Sequence, residues 1–145
     1  MATFISAMQK HEADFVGEIT LISTKAGGRS TPAHSGYRPQ HAIHENYQTS
    51  GEHEYLDVEE LYPGESSRVK IRLMTPHVYP HCIWVGREIN VQEGQRIVGI
   101  VTVTEIINLI LECSPEDYKS TWVLPKHLES EFNKRVSEAS KGRLA

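Results

Sequence analysis

The chain of 145 residues is 39% hydrophobic and 23% charged, and its formal net charge at pH 7 is −4. This length fits one domain with its own core, and the composition is ordinary for a globular protein. The negative charge argues against a general nucleic-acid clamp, because such proteins carry a basic binding face. The sequence has two cysteines, no apolar run of membrane-spanning length and no start typical of a signal peptide. We therefore expect a cytoplasmic protein with free thiols and no membrane partner.

The first predicted strand follows an N-terminal extension over residues 1–13, which we expect to be helical or disordered. The sequence then alternates with the period of a strand, and one predicted face is formed by Phe15, Gly17, Ile19 and Leu21. Gly27 and Gly28 end this pattern, because glycine adopts positive φ without steric cost. A second strand is predicted over residues 37–44, where Pro39 indicates a sheet edge or a bulge.

The middle of the chain combines an acidic stretch with a strand that has one basic face. Residues 52–65 contain six acidic residues and no Lys or Arg, with a short extended piece over 55–58 and a turn over 62–65. Residues 68–74 alternate clearly, and the side chains predicted to point outward are Arg68, Lys70 and Arg72. We interpret these three as a solvated strand face, with an RNA-binding surface as the alternative.

The later part of the barrel region predicts two more strands, over residues 83–91 and 97–107, joined by a hairpin connection at 93–96. About six strands with short turns indicate an all-β domain, a six-stranded antiparallel closed barrel over residues 14–107. Residues 108–145 have a different pattern and are predicted to form a C-terminal helical extension.

This extension contains two helix signals. Ser114 and Pro115 fit the N-cap and the first position of one helix, and Pro125 can open another. An apolar stripe at helical spacing in the second helix is formed by Leu128, Phe132 and Val136. We interpret the stripe as a face that docks on the barrel; if it were exposed, it would be a partner-binding ridge.

Several segments, taken in order, resemble one known family. They are Phe15–Ser23, Gly27-Gly28-Arg29 with Thr31-Pro32, Gly36–Gln40, Pro63-Gly64-Glu65, Pro76 and Glu93–Gly99. Together they resemble the third, C-terminal β-barrel domain of elongation factor Tu, the bacterial translation GTPase. The resemblance covers residues 14–107 and implies a stand-alone homologue of that domain. In the family, the domain is a six-stranded antiparallel barrel that packs against the GTPase domain and touches the T-stem of aminoacyl-tRNA.

The resemblance also implies site residues. It places Arg29 near RNA phosphate, and Arg38 and Gln40 near the surface that faces the partner domain. Arginine forms bidentate bonds to phosphate, and glycines let the backbone approach an anion closely. The candidate RNA-binding residues are Lys25, Gly27, Gly28, Arg29 and Arg38. The candidate partner-interface residues are Tyr37, Arg38, Gln40, Leu128, Phe132 and Val136.

The sequence shows no catalytic motif. The glycine-rich segment lacks the spacing and the lysine of a phosphate-binding loop, so GTP hydrolysis is not expected. Among the eight histidines, His77 and His81 are a pair that could converge on zinc with Cys82, but we interpret the two histidines as solvated loop residues and expect no metal or other cofactor. His41 and His44, three apart on a predicted strand, are expected to point to opposite faces.

Two functions are consistent with these expectations. The first is a non-catalytic protein-interaction module in a translation-related setting. Its partner would be a translation GTPase, a regulator of that GTPase, or a toxin that recognises elongation factor Tu. The alternative is a tRNA-binding or RNA-binding module that contacts phosphate through residues 27–40.

Overall fold

The chain folds into strands joined by short loops in a computed structural model that describes residues 12–119. The strands within this range are β1 (Phe15–Leu21), β2 (Ala33–His34), β3 (Gln40–His44), β4 (Tyr47–Tyr55), β5 (Glu60–Leu61), β6 (Ser66–Leu73), β7 (Glu88–Glu93) and β8 (Arg96–Ile106). Single-turn 3-10 helices cover Thr24–Ala26, Pro76–Val78 and Leu109–Leu111. No helix among residues 12–119 has the length and apolar character needed to span a bilayer.

Six of the strands form a closed antiparallel barrel in the order β1-β6-β4-β3-β7-β8, and β8 pairs back with β1. This confirms the all-β class and the six-stranded antiparallel barrel predicted from the sequence. Closure gives every barrel strand two neighbours, so the barrel presents no open edge for pairing with another chain. β2 and β5 form a separate two-stranded sheet.

The core lies inside the barrel and is built by strict alternation. In β6, Val69, Ile71 and Leu73 are fully buried while Arg68 and Lys70 lie outside, as the sequence predicts. The predicted inner face of β1 is buried in the same way. Each fully buried aliphatic side chain of this kind stabilises the fold by about 1.5–3 kcal/mol.

The strand predicted over residues 37–44 begins later than expected. Only Gln40–His44 forms a barrel strand. Pro39 has no N–H to donate to a ladder, and the Tyr37 N–H instead closes a turn by donating to the carbonyl of His34 at 3.0 Å. The loop before β3 is therefore three residues longer than the alternation suggests, and Tyr37 belongs to it.

The prediction of a strand over 83–91 was wrong in its first half. Ile83 forms an isolated parallel bridge with Glu112, and β7 starts at Glu88. A turn separates the two, and Gly86 lies in it at a φ of 96°. This left-handed conformation interrupts a strand, and an apolar pattern does not reveal it.

β4 is the strand that the sequence analysis missed, since the expected extended piece covered residues 55–58 only. Its nine residues read Tyr-Gln-Thr-Ser-Gly-Glu-His-Glu-Tyr, with no aliphatic side chain among them. Gly51, His53 and Tyr55 nevertheless alternate into the interior, and the three are buried. A polar strand is stable at this place because the inward histidine and tyrosine have hydrogen-bond partners.

Residues after β8 fold back onto the barrel. The Asn108 amide donates to the buried Asp14 carboxylate at 2.8 Å, and Leu111 is fully buried. Residues 115–117 form a turn. The rest of the predicted helical extension lies outside the described residues, as do residues 1–11 of the N-terminal extension predicted over 1–13.

The barrel closes along a short seam between β3 and β7. These strands share two residue pairs, Gln40–Gln92 and His41–Val91. Beyond them, the carbonyl of Ile43 accepts hydrogen bonds from Arg87 Nη2 at 2.6 Å and from the Tyr118 hydroxyl at 2.7 Å. Arg87 also donates to the carbonyl of Cys82, and its guanidinium lies 4.6 Å from the centre of the Tyr118 ring. The side chains of Arg87 and Tyr118 therefore hold the seam together where the backbone ladder between β3 and β7 ends.

Replacing Arg87 should destabilise the barrel strongly. Arg87→Leu removes the donors to the carbonyls of Ile43 and Cys82, so we expect a loss of about 2–4 kcal/mol in the free energy of unfolding. Equilibrium denaturation in urea measures it. The matched control is Arg68→Leu, which removes an exposed ion pair with Asp57 and should cost less than about 1 kcal/mol. Equal losses in the two variants would contradict a role for Arg87 in closing the seam.

Candidate interaction site

The loop between β1 and β3 is shaped by two consecutive glycines. Ser23 caps the 3-10 helix at its start, and Gly27 ends it at a φ of 99°. Gly28 is buried, and a Cβ atom at this position would lie 1.9 Å from the carbonyl oxygen of Ile22. Only glycine fits there, so the chain turns back sharply and delivers Arg29 to the barrel surface.

The Arg29 guanidinium is hydrogen-bonded to groups within the chain. Its Nη1 donates to the Glu93 carboxylate, and Nη2 donates to Thr31 Oγ1 at 3.2 Å and to the Pro32 carbonyl at 3.3 Å. Nε donates to the Thr31 carbonyl, also at 3.3 Å. The guanidinium lies 4.5 Å from the centre of the Tyr37 ring, and the side chain is 19% exposed. Arg29 therefore pins its own loop to the end of β7.

Glu93 is the acceptor on which this cluster converges. The Tyr37 hydroxyl donates to Oε2 at 2.5 Å, and Arg96 donates to Oε1 at 2.9 Å. Partial burial raises the pKa of Glu93, but bonds from Tyr37, Arg96 and Arg29 outweigh burial and lower it. Burial and the bond to Glu93 raise the pKa of Tyr37. At neutral pH the carboxylate is therefore charged and the phenol is not.

A buried series of hydrogen bonds lies in the core beside Tyr37. The His53 ring packs edge-on against the Tyr37 ring, with centroids 5.8 Å apart. His53 Nε2 lies 2.8 Å from His41 Nε2, and His41 Nδ1 lies 3.1 Å from the Thr49 carbonyl. At its other nitrogen, His53 Nδ1 lies 3.0 Å from the Tyr55 hydroxyl.

The Thr49 carbonyl at one end of this series determines which nitrogen of each histidine ring carries a proton. A carbonyl only accepts, so His41 Nδ1 carries its proton and donates to Thr49. Neutral His41 then has a bare Nε2, which accepts from His53 Nε2. His53 Nδ1 is bare in turn and accepts from the Tyr55 hydroxyl. Burial lowers the pKa of His41 to about 4, and burial together with His41 lowers that of His53 well below its usual range. Both rings are neutral at pH 7.

The sequence predicted a strand at His41 but did not indicate that His41 and His53 form a buried pair. Both are fully buried in strands of the barrel. His44 is buried too, on the opposite face from His41 as expected, where its ring stacks on Tyr118 at 5.6 Å between centroids. One feature of the sequence indicated that His41 is buried. His41 and Ile43 are two residues apart on a strand, so their side chains point to the same face.

The remaining candidate residues have different surroundings. Lys25 is exposed in the 3-10 helix, and the Arg38 guanidinium, in a side chain that is 38% exposed, lies 3.9 Å from Glu52. The Gln40 amide donates to Ser50 Oγ at 3.0 Å. The structure thus brings Arg29 and Tyr37 into one cluster, and Arg38 and Gln40 lie close by in sequence. Three further candidates lie outside the described residues: Leu128, Phe132 and Val136.

Acidic side chains pair with two of the three basic residues on the outer face of β6. Arg68 binds the Asp57 carboxylate with Nε at 3.0 Å and Nη2 at 2.7 Å. Arg72 binds Glu52 with Nη1 at 3.0 Å. The acidic stretch identified in the sequence therefore supplies partners for the strand that follows it, which favours the interpretation of this face as a solvated surface.

The residues that were considered as zinc ligands and interpreted as solvated differ in their surroundings. Cys82 is buried, and its thiol donates to the Tyr79 carbonyl at 3.0 Å, whereas His81 is exposed. Burial raises the pKa of the Cys82 thiol to about 12, and Cys82 and Cys113 are both free thiols. Within residues 12–119, no three His, Cys, Asp or Glu side chains are grouped to hold a metal ion. No protein-family model matches the chain.

Acid should destabilise the barrel through the two core histidines. Their pKa values are lowered on folding, from 6.5 to about 4 for His41, so the unfolded chain binds more protons in that interval. The contribution of the two neutral histidines to the free energy of unfolding is therefore fully present above pH 6.5. It is lost as the pH falls, by up to about 1.4 kcal/mol per pH unit for each histidine. Urea denaturation between pH 4 and 6.5 measures the slope.

The double variant His41→Leu/His53→Leu isolates this effect, because it removes both titrating rings together. Its stability should depend less steeply on pH over the same interval than that of the natural chain. His34→Leu, at an exposed histidine, is the control and should keep the natural slope. Equal slopes in the double variant and the natural chain would show that the pair does not titrate as described.

The two loop glycines should differ in their tolerance of alanine. At Gly27 an added Cβ meets nothing within 4 Å, so Gly27→Ala carries only the left-handed backbone penalty of about 1–2 kcal/mol. Gly28→Ala drives Cβ into the Ile22 carbonyl and should cost about 3 kcal/mol or more. Thermal denaturation compares them, and a Gly28→Ala protein as stable as Gly27→Ala would contradict the tight bend.

Proposed function

We propose that this chain is a non-catalytic protein-interaction module related to the third domain of elongation factor Tu, and that it binds the GTPase domain of a translation factor. The surface that we assign to the interface is the rim formed by Tyr37, Arg38 and Gln40. Three features support the proposal: the closed six-stranded barrel, the order of the segments that resemble the family, and the way the rim is held.

The contacts of Arg29 within the chain are the main support for this proposal. Its guanidinium is bound to Glu93 and to oxygen atoms of Thr31 and Pro32, and it lies over the Tyr37 ring. Arg29 therefore acts as the support of the rim. A rim held by several hydrogen bonds costs little entropy when a protein surface docks on it, because its shape is already set.

The same contacts weigh against phosphate binding through Arg29. A phosphate would have to displace the Glu93 carboxylate and leave it half-buried without its closest cation, which is costly. The strand with the basic pattern offers little in compensation, because Arg68 and Arg72 are paired with acids. Lys25 and Arg38 are the exposed cations beside the loop, and tRNA binding through them is the competing outcome.

A direct binding measurement tests the proposal. The full chain is immobilised and titrated with the purified GTPase domain of an elongation factor Tu, and separately with aminoacyl-tRNA at low salt. We expect the GTPase domain to bind, with affinity reduced by about tenfold or more in the variant Arg38→Ala/Gln40→Ala, because central interface residues carry most of the binding energy.

The matched control is Lys70→Ala/Asn90→Ala, which removes one cation and one amide from exposed strand positions away from the rim. Its affinity should equal that of the natural chain. Failure of the GTPase domain to bind would overturn the proposal. Binding of tRNA that weakens steeply with salt and is reduced by Lys25→Ala would establish the RNA-binding alternative instead.

A further inference from the structure

A polar cleft opens on the outer surface of the barrel. It is lined by residues of β3, β4 and β7 and of the β3–β4 and β7–β8 turns, and its volume is about 450 Å³. Its lining residues are Ala42, His44, Glu45, Asn46, Tyr47, Gln48, Gln92 and Gln95. Small-molecule sites have volumes of about 300–1,000 Å³, so this cleft is large enough for one ligand.

Two irregularities in the sheet create the cleft. The register of β3 against β4 shifts between Ala42 and His44, and that of β7 against β8 shifts between Val91 and Gln92. The ladder between β3 and β7 ends at the pair formed by His41 and Val91, so the strands part at this place. Bulges are common at barrel rims and next to binding sites, because they re-aim side chains.

The lining is rich in carboxamides and contains no lysine or arginine. Asn46, Gln48, Gln92 and Gln95 each offer a donor and an acceptor on one planar group. Gln92 is only 8% exposed, and its Nε2 donates one long hydrogen bond, of 3.5 Å, to the Gly94 carbonyl. That bond is at the outer limit of a hydrogen bond, so much of the capacity of this buried amide is open to a ligand.

The charges at the cleft exclude an anionic ligand. Burial and the nearby Arg87 charge lower the pKa of His44 to about 4, so its ring is neutral at pH 7. Glu45 adds a carboxylate to the wall, and no cationic side chain lines the cleft to balance a phosphate. Tyr47, an aromatic residue, also lines the cleft. The ligand that fits is neutral and rich in groups that both donate and accept.

From this lining we infer that the cleft binds a carbohydrate. A sugar hydroxyl donates one hydrogen bond and accepts two, which matches a carboxamide at each position, and the C–H face of a sugar ring packs on an aromatic side chain. An uncharged saccharide needs no cation. The inference does not depend on the proposed interface, which lies on another set of residues.

Titration followed by two-dimensional NMR of the labelled full chain tests the inference. The probes are maltose, cellobiose and diacetylchitobiose, with free adenine as a planar neutral competitor. We expect saturable shifts, with at least one saccharide, confined to the backbone amides of residues 42–48 and 92–95. The affinity should be in the millimolar range, as for a small, half-open site.

Variants separate binding from folding. Gln48→Ala and Gln95→Ala change side chains at the surface, so each should keep the native spectrum and weaken binding by about tenfold or more. Asn90→Ala removes an exposed amide of β7 that does not line the cleft and should bind like the natural chain. No shift with any saccharide, unchanged affinity in both glutamine variants, or shifts with adenine alone would overturn the inference.

Discussion

A hydrogen bond between two buried imidazoles joins the core of this barrel to its rim. His53 donates to His41 at 2.8 Å, and the Tyr37 ring packs edge-on against His53. Tyr37 in turn donates to Glu93, which holds Arg29. The loop that carries the interface candidates is therefore supported from the interior through the Tyr37 ring.

The short seam between β3 and β7 accounts for two features of the barrel, the role of Arg87 and the polar cleft. Two residue pairs are too few to close β3 on β7 along their length. Arg87 completes the closure by donating to the carbonyls of Ile43 and Cys82. The departure from a regular ladder leaves the polar cleft on the outer face. In this way the same irregularity requires a half-buried arginine and leaves room for the proposed neutral ligand.

Charge pairing distinguishes the two functional hypotheses. Arg29, Arg68 and Arg72 each form an ion pair within the described residues, with Glu93, Asp57 and Glu52 respectively. Guanidinium groups held in this way form the supports of a surface, and bind phosphate only after their carboxylates are displaced. The geometry therefore fits a protein partner better than RNA.

Alternation, turn residues and positive-φ requirements are local properties, so the sequence was enough to predict an all-β barrel and the glycine bend, but not every strand. Val69, Ile71 and Leu73 show this in β6. Only the tertiary structure revealed β4 as a strand, paired His41 with His53 and joined Arg29 to Glu93. Those contacts link residues 12 and 64 positions apart, and which polar groups meet depends on the register and closure of the barrel.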